Sequence, residues 1–274
     1  MILSPIEQSI KQKIEAVGTP LKDWDININY GIKTGYNDAF IITTDKRNEI
    51  LDNCETEDER KRTEELIRPL LRGRDIKRYG YEWAGLWLIN SHNGIKDRLH
   101  RIDIKEYPAV KAHLDLYLKQ LEKRTDKGDT PYNLRKCAYL EDFFVPKIVW
   151  KIIGSRLAFT IDTKGYYINN ACYLMTGEHL KYILAFLNSS PLIWYSEITN
   201  KNKTGVGDAQ VGAQNILLFP IPKVEATLYD KITCIVEYLL TDSKETRIKE
   251  LETIISGIFK FTKAERAYLE QLNL

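Results

Sequence analysis

The segment GIKTGYNDAFII, residues 31–42, gathers Gly31, Lys33, Thr34, Gly35, Tyr36 and Asn37 just ahead of an apolar run. Glycine beside Lys and Thr is the chemistry of a phosphate-cradling loop, whose signature is G-x-x-x-x-G-K-[ST] leading into a helix. The order here is different. Lys33 and Thr34 precede Gly35, and Ala39 to Ile42 read as a strand. The mononucleotide site is set aside, and the loop is read instead as one whose glycines bring backbone close to a partner while Lys33, Thr34, Tyr36 and Asn37 face outward.

Residues suited to covalent or metal chemistry are sparse. An adenine methyltransferase needs a glycine-rich cofactor loop after a strand and an N-P-P-[YF] tetrapeptide, and neither string occurs. The one tempting D/E-x-K nuclease pair, Glu59-Arg60-Lys61, sits in ETEDERKRTEE, which reads as solvated. His92, His100, His113 and His179 have no partner at metal-site or catalytic spacing, and Ser189 and Ser190 lack a nucleophile-elbow context. The four cysteines lie far apart and read as free thiols of a cytosolic protein. No catalytic, cofactor or metal residue is therefore assigned to this chain.

Positive charge, by contrast, collects in loops. The net charge is only +2, so any argument for an anionic partner rests on distribution. One cluster, LLRGRDIKRY, carries Arg72, Arg74, Lys77 and Arg78; a second, KRTDKGDTPYNLRK, carries Arg124, Lys127, Tyr132 and Arg135; a third, NKNKTGVGDAQVG, carries Lys201 and Lys203. Any one alone reads as a solvated loop. Together with the 31–37 loop they suit duplex DNA, where Lys and Arg fix register on phosphates and Asn, Thr and Tyr meet base edges.

The elements that must position these loops follow from periodicity. Ile6, Ile10, Ile14 and Val17 form a helical stripe closed by Gly18 and Pro20. Short strand-like runs follow (AFIITT, GLWLINS, KIVWKII, LAFTID, GYYINNACYLM, ILLFPIPKV), with helical spacing over 57–70, 105–123 and 178–196. After Pro222 the chain turns helical, with an apolar seam at Ile248, Leu251, Ile254, Ile255 and Ile258 that reads chiefly as packing against the main body. The expectation is an α+β fold with a mixed, mostly antiparallel sheet and flanking helices. It divides into a linker helix at 1–20, the main domain at 21–224 and a helical spacer at 225–274. No apolar run is long enough for a membrane span or signal core, so a cytoplasmic chain is expected, and the opening reads as the end of a linker in something longer.

In order, INYGIKTGYNDAFII, IRPLLRGRDIKRY, YPAVKAHLDLYLKQLEKRTDKGDTPYNLRKCAY, FFVPKIVWKII and LAFLNSSPLIWY resemble the TaqI-like C-terminal specificity domain. This is the target recognition domain of type IIG restriction-modification enzymes and related adenine-specific DNA methyltransferases. The resemblance covers nearly the whole chain. It implies a module that reads double-stranded DNA for a catalytic methyltransferase or nuclease half, which would hold S-adenosylmethionine, and Mg where a nuclease is fused. It also implies that the GIKTGYN, LRGRDIKRY and KRTDKGDTPYNLRK blocks carry the contacts.

Overall fold

The computed structural model describes residues 3–154, 156–200, 209–242 and 245–272. At its centre lies an antiparallel sheet in which Phe159–Asp162, Lys147–Lys151, Cys172–Gly177 and Ile26–Tyr30 are neighbours in that order. Side chains alternate across a strand, so this sheet divides the interior into two cores. Ile148, Trp150, Phe159, Tyr173 and Met175 enter the first, while Val149, Cys172 and Leu174 enter the second.

Helices from both ends of the chain close the first core. Pro5–Val17 contributes Ile10 and Ile14, Ala226–Thr241 contributes Ile232, Val236 and Leu239, and the last two helices contribute Leu251, Ile255 and Leu269. A short strand, Gly18–Pro20, pairs with Pro220–Pro222 and ties the N-terminal helix to the end of the main body. The segments expected as linker and spacer thus share a core with the central sheet. The apolar seam packs inward: Leu251 and Ile255 are buried, and Ile248, Ile254 and Ile258 lie against the same cluster.

The second core is covered by another sheet, ordered Tyr167–Ile168, Ile67–Leu71, Leu86–Ile89 and Ile41–Thr43, whose first pair is parallel and the rest antiparallel. Both sheets together make the mixed, mostly antiparallel α+β architecture expected from the sequence. No described helix is long and apolar enough to cross a membrane.

Proline explains three departures from the helices read by periodicity. The 57–70 stretch is helical only over Glu57–Leu66, because Pro69 biases Arg68 toward extended backbone and the chain enters the strand Ile67–Leu71. Pro108 opens a new helix, Pro108–Asp115, inside the 105–123 stretch, and Pro191 does the same at Ser190–Thr199 inside 178–196. The charged segment around Glu59 is also less solvated than it reads. Glu59 is buried, and its carboxylate accepts from the backbone N–H groups of Ala109 (2.9 Å) and Glu55 (3.0 Å), so it braces two helix starts.

Glu265 clamps the two ends of the chain. Its buried carboxylate accepts from Lys13 Nζ, Ser9 Oγ and the Thr262 backbone N–H, each at 2.6 Å. Burial alone would raise its pKa, but these donors outweigh it and hold the carboxyl at about 2, against an ordinary 4.5. A depressed carboxylate pKa gives stability that is present above the unfolded value and lost as pH falls through the folded one. Acid unfolding followed by circular dichroism should therefore show a loss between pH 4.5 and 2 that Glu265→Gln flattens. An unchanged acid limb in the variant would rule out this linkage.

Candidate nucleic-acid interface

Antiparallel pairing brings one end of the central sheet together from four strands. Tyr30, Lys151, Phe159 and Cys172 all lie there, through the pairs Tyr173↔Tyr30, Cys172↔Lys151 and Phe159↔Trp150. The segments that leave this end are 31–37, 152–154 (with the short strand Ile153–Gly154) and 169–171, with 156–158 leading back into Phe159. The LRGRDIKRY turn joins them, since the Tyr79 backbone N–H donates to Phe159 O (3.0 Å). Strand ends converge on one rim, and the loops carry their charges there.

Two grooves flank the Lys151–Ile152 step. The first, about 670 Å³, is lined by Arg74, Lys77, Arg78, Lys151 and Arg156 against a single carboxylate, Glu197. Arg74, Lys151 and Arg156 make no ion pair among the described residues, and Lys77 has only a surface partner, Glu82, at 3.5 Å. The second groove, about 490 Å³, is lined by Lys33, Arg135 and Lys136 with Tyr30, Tyr139 and Asn170. Asp126 sits between Lys33 (3.4 Å) and Arg135 (3.1 Å), and Asp129 between Lys136 (3.1 Å) and Arg101 (3.6 Å). These exposed pairs are weak, so the carboxylates orient the cations without neutralising them irreversibly.

The opening loop is fastened rather than free. Gly31 donates its N–H to Cys172 O (2.9 Å), and a Cβ there would fall 1.9 Å from Asn169 O. Gly35 has φ +70 and lies against Asp126 O, a position that L side chains rarely adopt. Contrary to the expected outward presentation, Thr34 is buried: its hydroxyl donates to Asn37 Oδ1 (2.6 Å) and its carbonyl accepts from Arg124. Asn37 and Lys33 remain exposed, while Tyr36 packs its ring 5.9 Å from that of Tyr117.

Arg124 is likewise an internal brace and not a free cation. Its guanidinium donates to the carbonyls of Thr34, Asp126 (3.2 Å), Pro131 (2.9 Å) and Asn133 (2.5 Å), and it lies 4.5 Å above the Phe40 ring. Burial pulls its pKa down to about 10, still well above neutrality. The planar fork of five donors suits a loop with many inward carbonyls, which is why Arg occupies this position.

Two more of the expected contacts are consumed inside the protein. Arg72 is held bidentately by the buried Asp75, at 3.1 and 2.8 Å, and Arg78 reaches Glu252 of the C-terminal helices at 2.8 Å. Lys127 donates to Glu122 O (2.7 Å), and Tyr132 donates to Asp115 Oδ1 (2.6 Å); neither lines a groove. Lys201 and Lys203 lie outside the described residues. Of the residues singled out by sequence, the two grooves hold Lys33, Arg74, Lys77, Arg78 and Arg135.

Sequence reading missed Lys151, Arg156, Lys136 and Asn170. Lys151 ends the run KIVWK, whose alternation reads as packing, and its partner lysine Lys147 is indeed fully buried against Asp162 (2.6 Å). Only the sheet's end shows that the second lysine of that strand emerges at the rim.

The arrangement is that of a specificity domain, a scaffold whose loops are gathered at one edge. The chain belongs to the TaqI-like C-terminal specificity domain family, which matches residues 68–221. The type II methyltransferase M.BanIII of Aneurinibacillus aneurinilyticus is 23% identical over 248 residues, spanning 85% of this chain and 41% of that protein. The fold is similar to that of the type IIL restriction-modification enzyme MmeI, solved in complex with DNA: TM-score 0.62, 13% identity, 92% of this chain and 36% of that one. It is also similar to the type IIG restriction endonuclease BpuSI, with TM-score 0.53, 14% identity, and coverage of 93% and 32%. The chain therefore spans less than half the length of each of these relatives.

Proposed function

We propose that this domain recognises duplex DNA for a site-specific adenine methyltransferase or type II restriction-modification enzyme. The observation that carries the reading is the convergence of cations, all exposed but for the half-buried Lys151, on one rim of the central sheet. Arg74, Lys77, Lys151 and Arg156 line one groove, with Lys33, Arg135 and Lys136 in the other. Phosphates would take the cations and so fix register, while Tyr30, Asn170 and the exposed Asn37 are placed to meet base edges. Methyl transfer from S-adenosylmethionine, and any Mg-dependent cleavage, belong in this reading to a catalytic half in the same or a partner chain. The setting proposed is the cytoplasm, where such a half meets DNA.

Binding of the chain to labelled duplex DNA across a salt series tests this. Each phosphate neutralised contributes about −0.9 to the slope of log K against log salt, so five or more contacts give roughly −4 or steeper. A slope shallower than about −1 would mean that the grooves do not track a DNA backbone.

A further inference from the structure

One face of the central sheet carries a row of aromatic rings that crosses all four strands at the rim. Phe159, Trp150, Tyr173 and Tyr30 stand opposite one another through the pairs Phe159↔Trp150, Tyr173↔Trp150 and Tyr173↔Tyr30. Directly opposed residues share a face, so their rings meet. Ring centroids lie 5.6 Å apart for Trp150 and Phe159, 5.4 Å for Trp150 and Tyr173, and 4.6 Å for Tyr173 and Tyr30. The first three rings are buried in the first core. The row ends on Ile26–Tyr30, the edge strand of the sheet, and there Tyr30 is 54% exposed.

The last ring is presented and not covered. Tyr173 is its one ring partner among the described residues, and no described ammonium or guanidinium lies over it. The face turned away from Tyr173 is therefore open, while the buried row behind it holds the ring in place. A ring fixed in this way loses little freedom when a second planar group stacks on it. Tyr30 also lines the 490 Å³ groove together with the exposed Lys33, Arg135 and Lys136, so a flat apolar face stands among cations. That combination is how unpaired nucleic acid is held: bases stack on an aromatic platform while cations track the backbone. In an undisturbed duplex each base face is hidden by its neighbours. The ring can be used only where a step is opened, as it is by the side-chain wedges of proteins that kink DNA.

We propose that Tyr30 stacks on a nucleobase at a step of duplex DNA whose stacking is interrupted. The inference rests on the DNA reading above and goes beyond the edge contacts assigned there, because the face of the ring, not its hydroxyl, takes the base. Opening costs least at pyrimidine–purine steps, so the ring selects among sequences by their deformability as well as by contact.

The test compares two labelled duplexes of one sequence, intact and with a central single-nucleotide gap, by fluorescence anisotropy across salt. Wild type should prefer the gapped duplex by about tenfold, the scale of one base stacked on an aromatic ring. Tyr30→Ala should bind both duplexes alike while keeping the salt slope of wild type, because the phosphate contacts belong to other residues. Tyr30→Phe and Tyr30→Trp keep a ring and should keep the preference, and the added indole of Tyr30→Trp should be quenched by the gapped duplex. The position is exposed and at a sheet edge, and circular dichroism confirms that each variant is folded. Equal affinity of wild type for the two duplexes, or a preference that survives in Tyr30→Ala, overturns the inference. So does its loss in Tyr30→Phe, which would assign the effect to the hydroxyl. A steep salt slope with no gap preference removes the inference alone, whereas no binding of wild type to either duplex removes the DNA reading and the inference together.

Discussion

Replacing Arg74, Lys151 and Arg156 together by alanine is expected to weaken binding to every duplex by roughly 10²-fold at low salt and to reduce the salt slope by about 2.7, three contacts at about 0.9 each. The reason is that these three cations carry no ion pair among the described residues, so a phosphate meets them without displacing an internal partner, and they line one continuous groove. Phosphate contacts are blind to sequence, so target and non-target DNA should lose affinity alike. Arg72→Ala is the informative contrast. Arg72 sits in the same sequence block but is spent on Asp75, so it should shift stability rather than the slope. Fluorescence anisotropy across salt, with circular dichroism to confirm folding, decides the matter. An unchanged slope in the triple variant would remove this groove from the interface.

Arg124→Ala should destabilise the domain by about 3–5 kcal/mol, since it strands two buried carbonyls, Thr34 O and Asn133 O, that each cost about 1–3 kcal/mol when unsatisfied, and two part-buried ones. That corresponds to a fall in Tm of about 10 °C for a chain of this size. The four carbonyls belong to Thr34, Asp126, Pro131 and Asn133, so the 31–37 and 124–136 segments loosen together. Arg124→Lys keeps a charge but presents one ammonium where a planar fork spans four acceptors, and it should recover less than half of the loss. DNA affinity should fall as well, because Arg124 anchors the residue, Asp126, that positions Lys33 and Arg135. Thermal unfolding provides the check: a Tm change under about 3 °C would mean that the carbonyls find water and that the brace is dispensable.

Local signals in the sequence were enough for the buried faces and the general location of charge, but not for every element: Ala39 and Phe40, read as strand, belong to the short helix Asn37–Phe40, and only Ile41 and Ile42 enter the strand Ile41–Thr43. The stripe of Ile10 and Ile14, the seam of Leu251 and Ile255 and the alternation in KIVWK all placed their residues correctly on buried faces, because 3.6- and 2-residue periods express a face directly. The ordered blocks from GIKTGYN to LAFLNSSPLIWY were enough for the family, and proline, through its effect on the preceding residue, corrected the helix bounds. What only the tertiary structure decided is which cations are available. Asp75 takes Arg72 from three residues away, Glu252 takes Arg78 across 174 positions, and the carbonyl of Thr34 takes Arg124 across 90. Lys151, hidden in a packing pattern, emerges at the rim only because antiparallel pairing sets its strand end beside Cys172. Ion pairing depends on distances between atoms remote in the chain, and such partners leave no period in the sequence, so a cluster of Arg and Lys reads the same whether it braces a loop or waits for a phosphate.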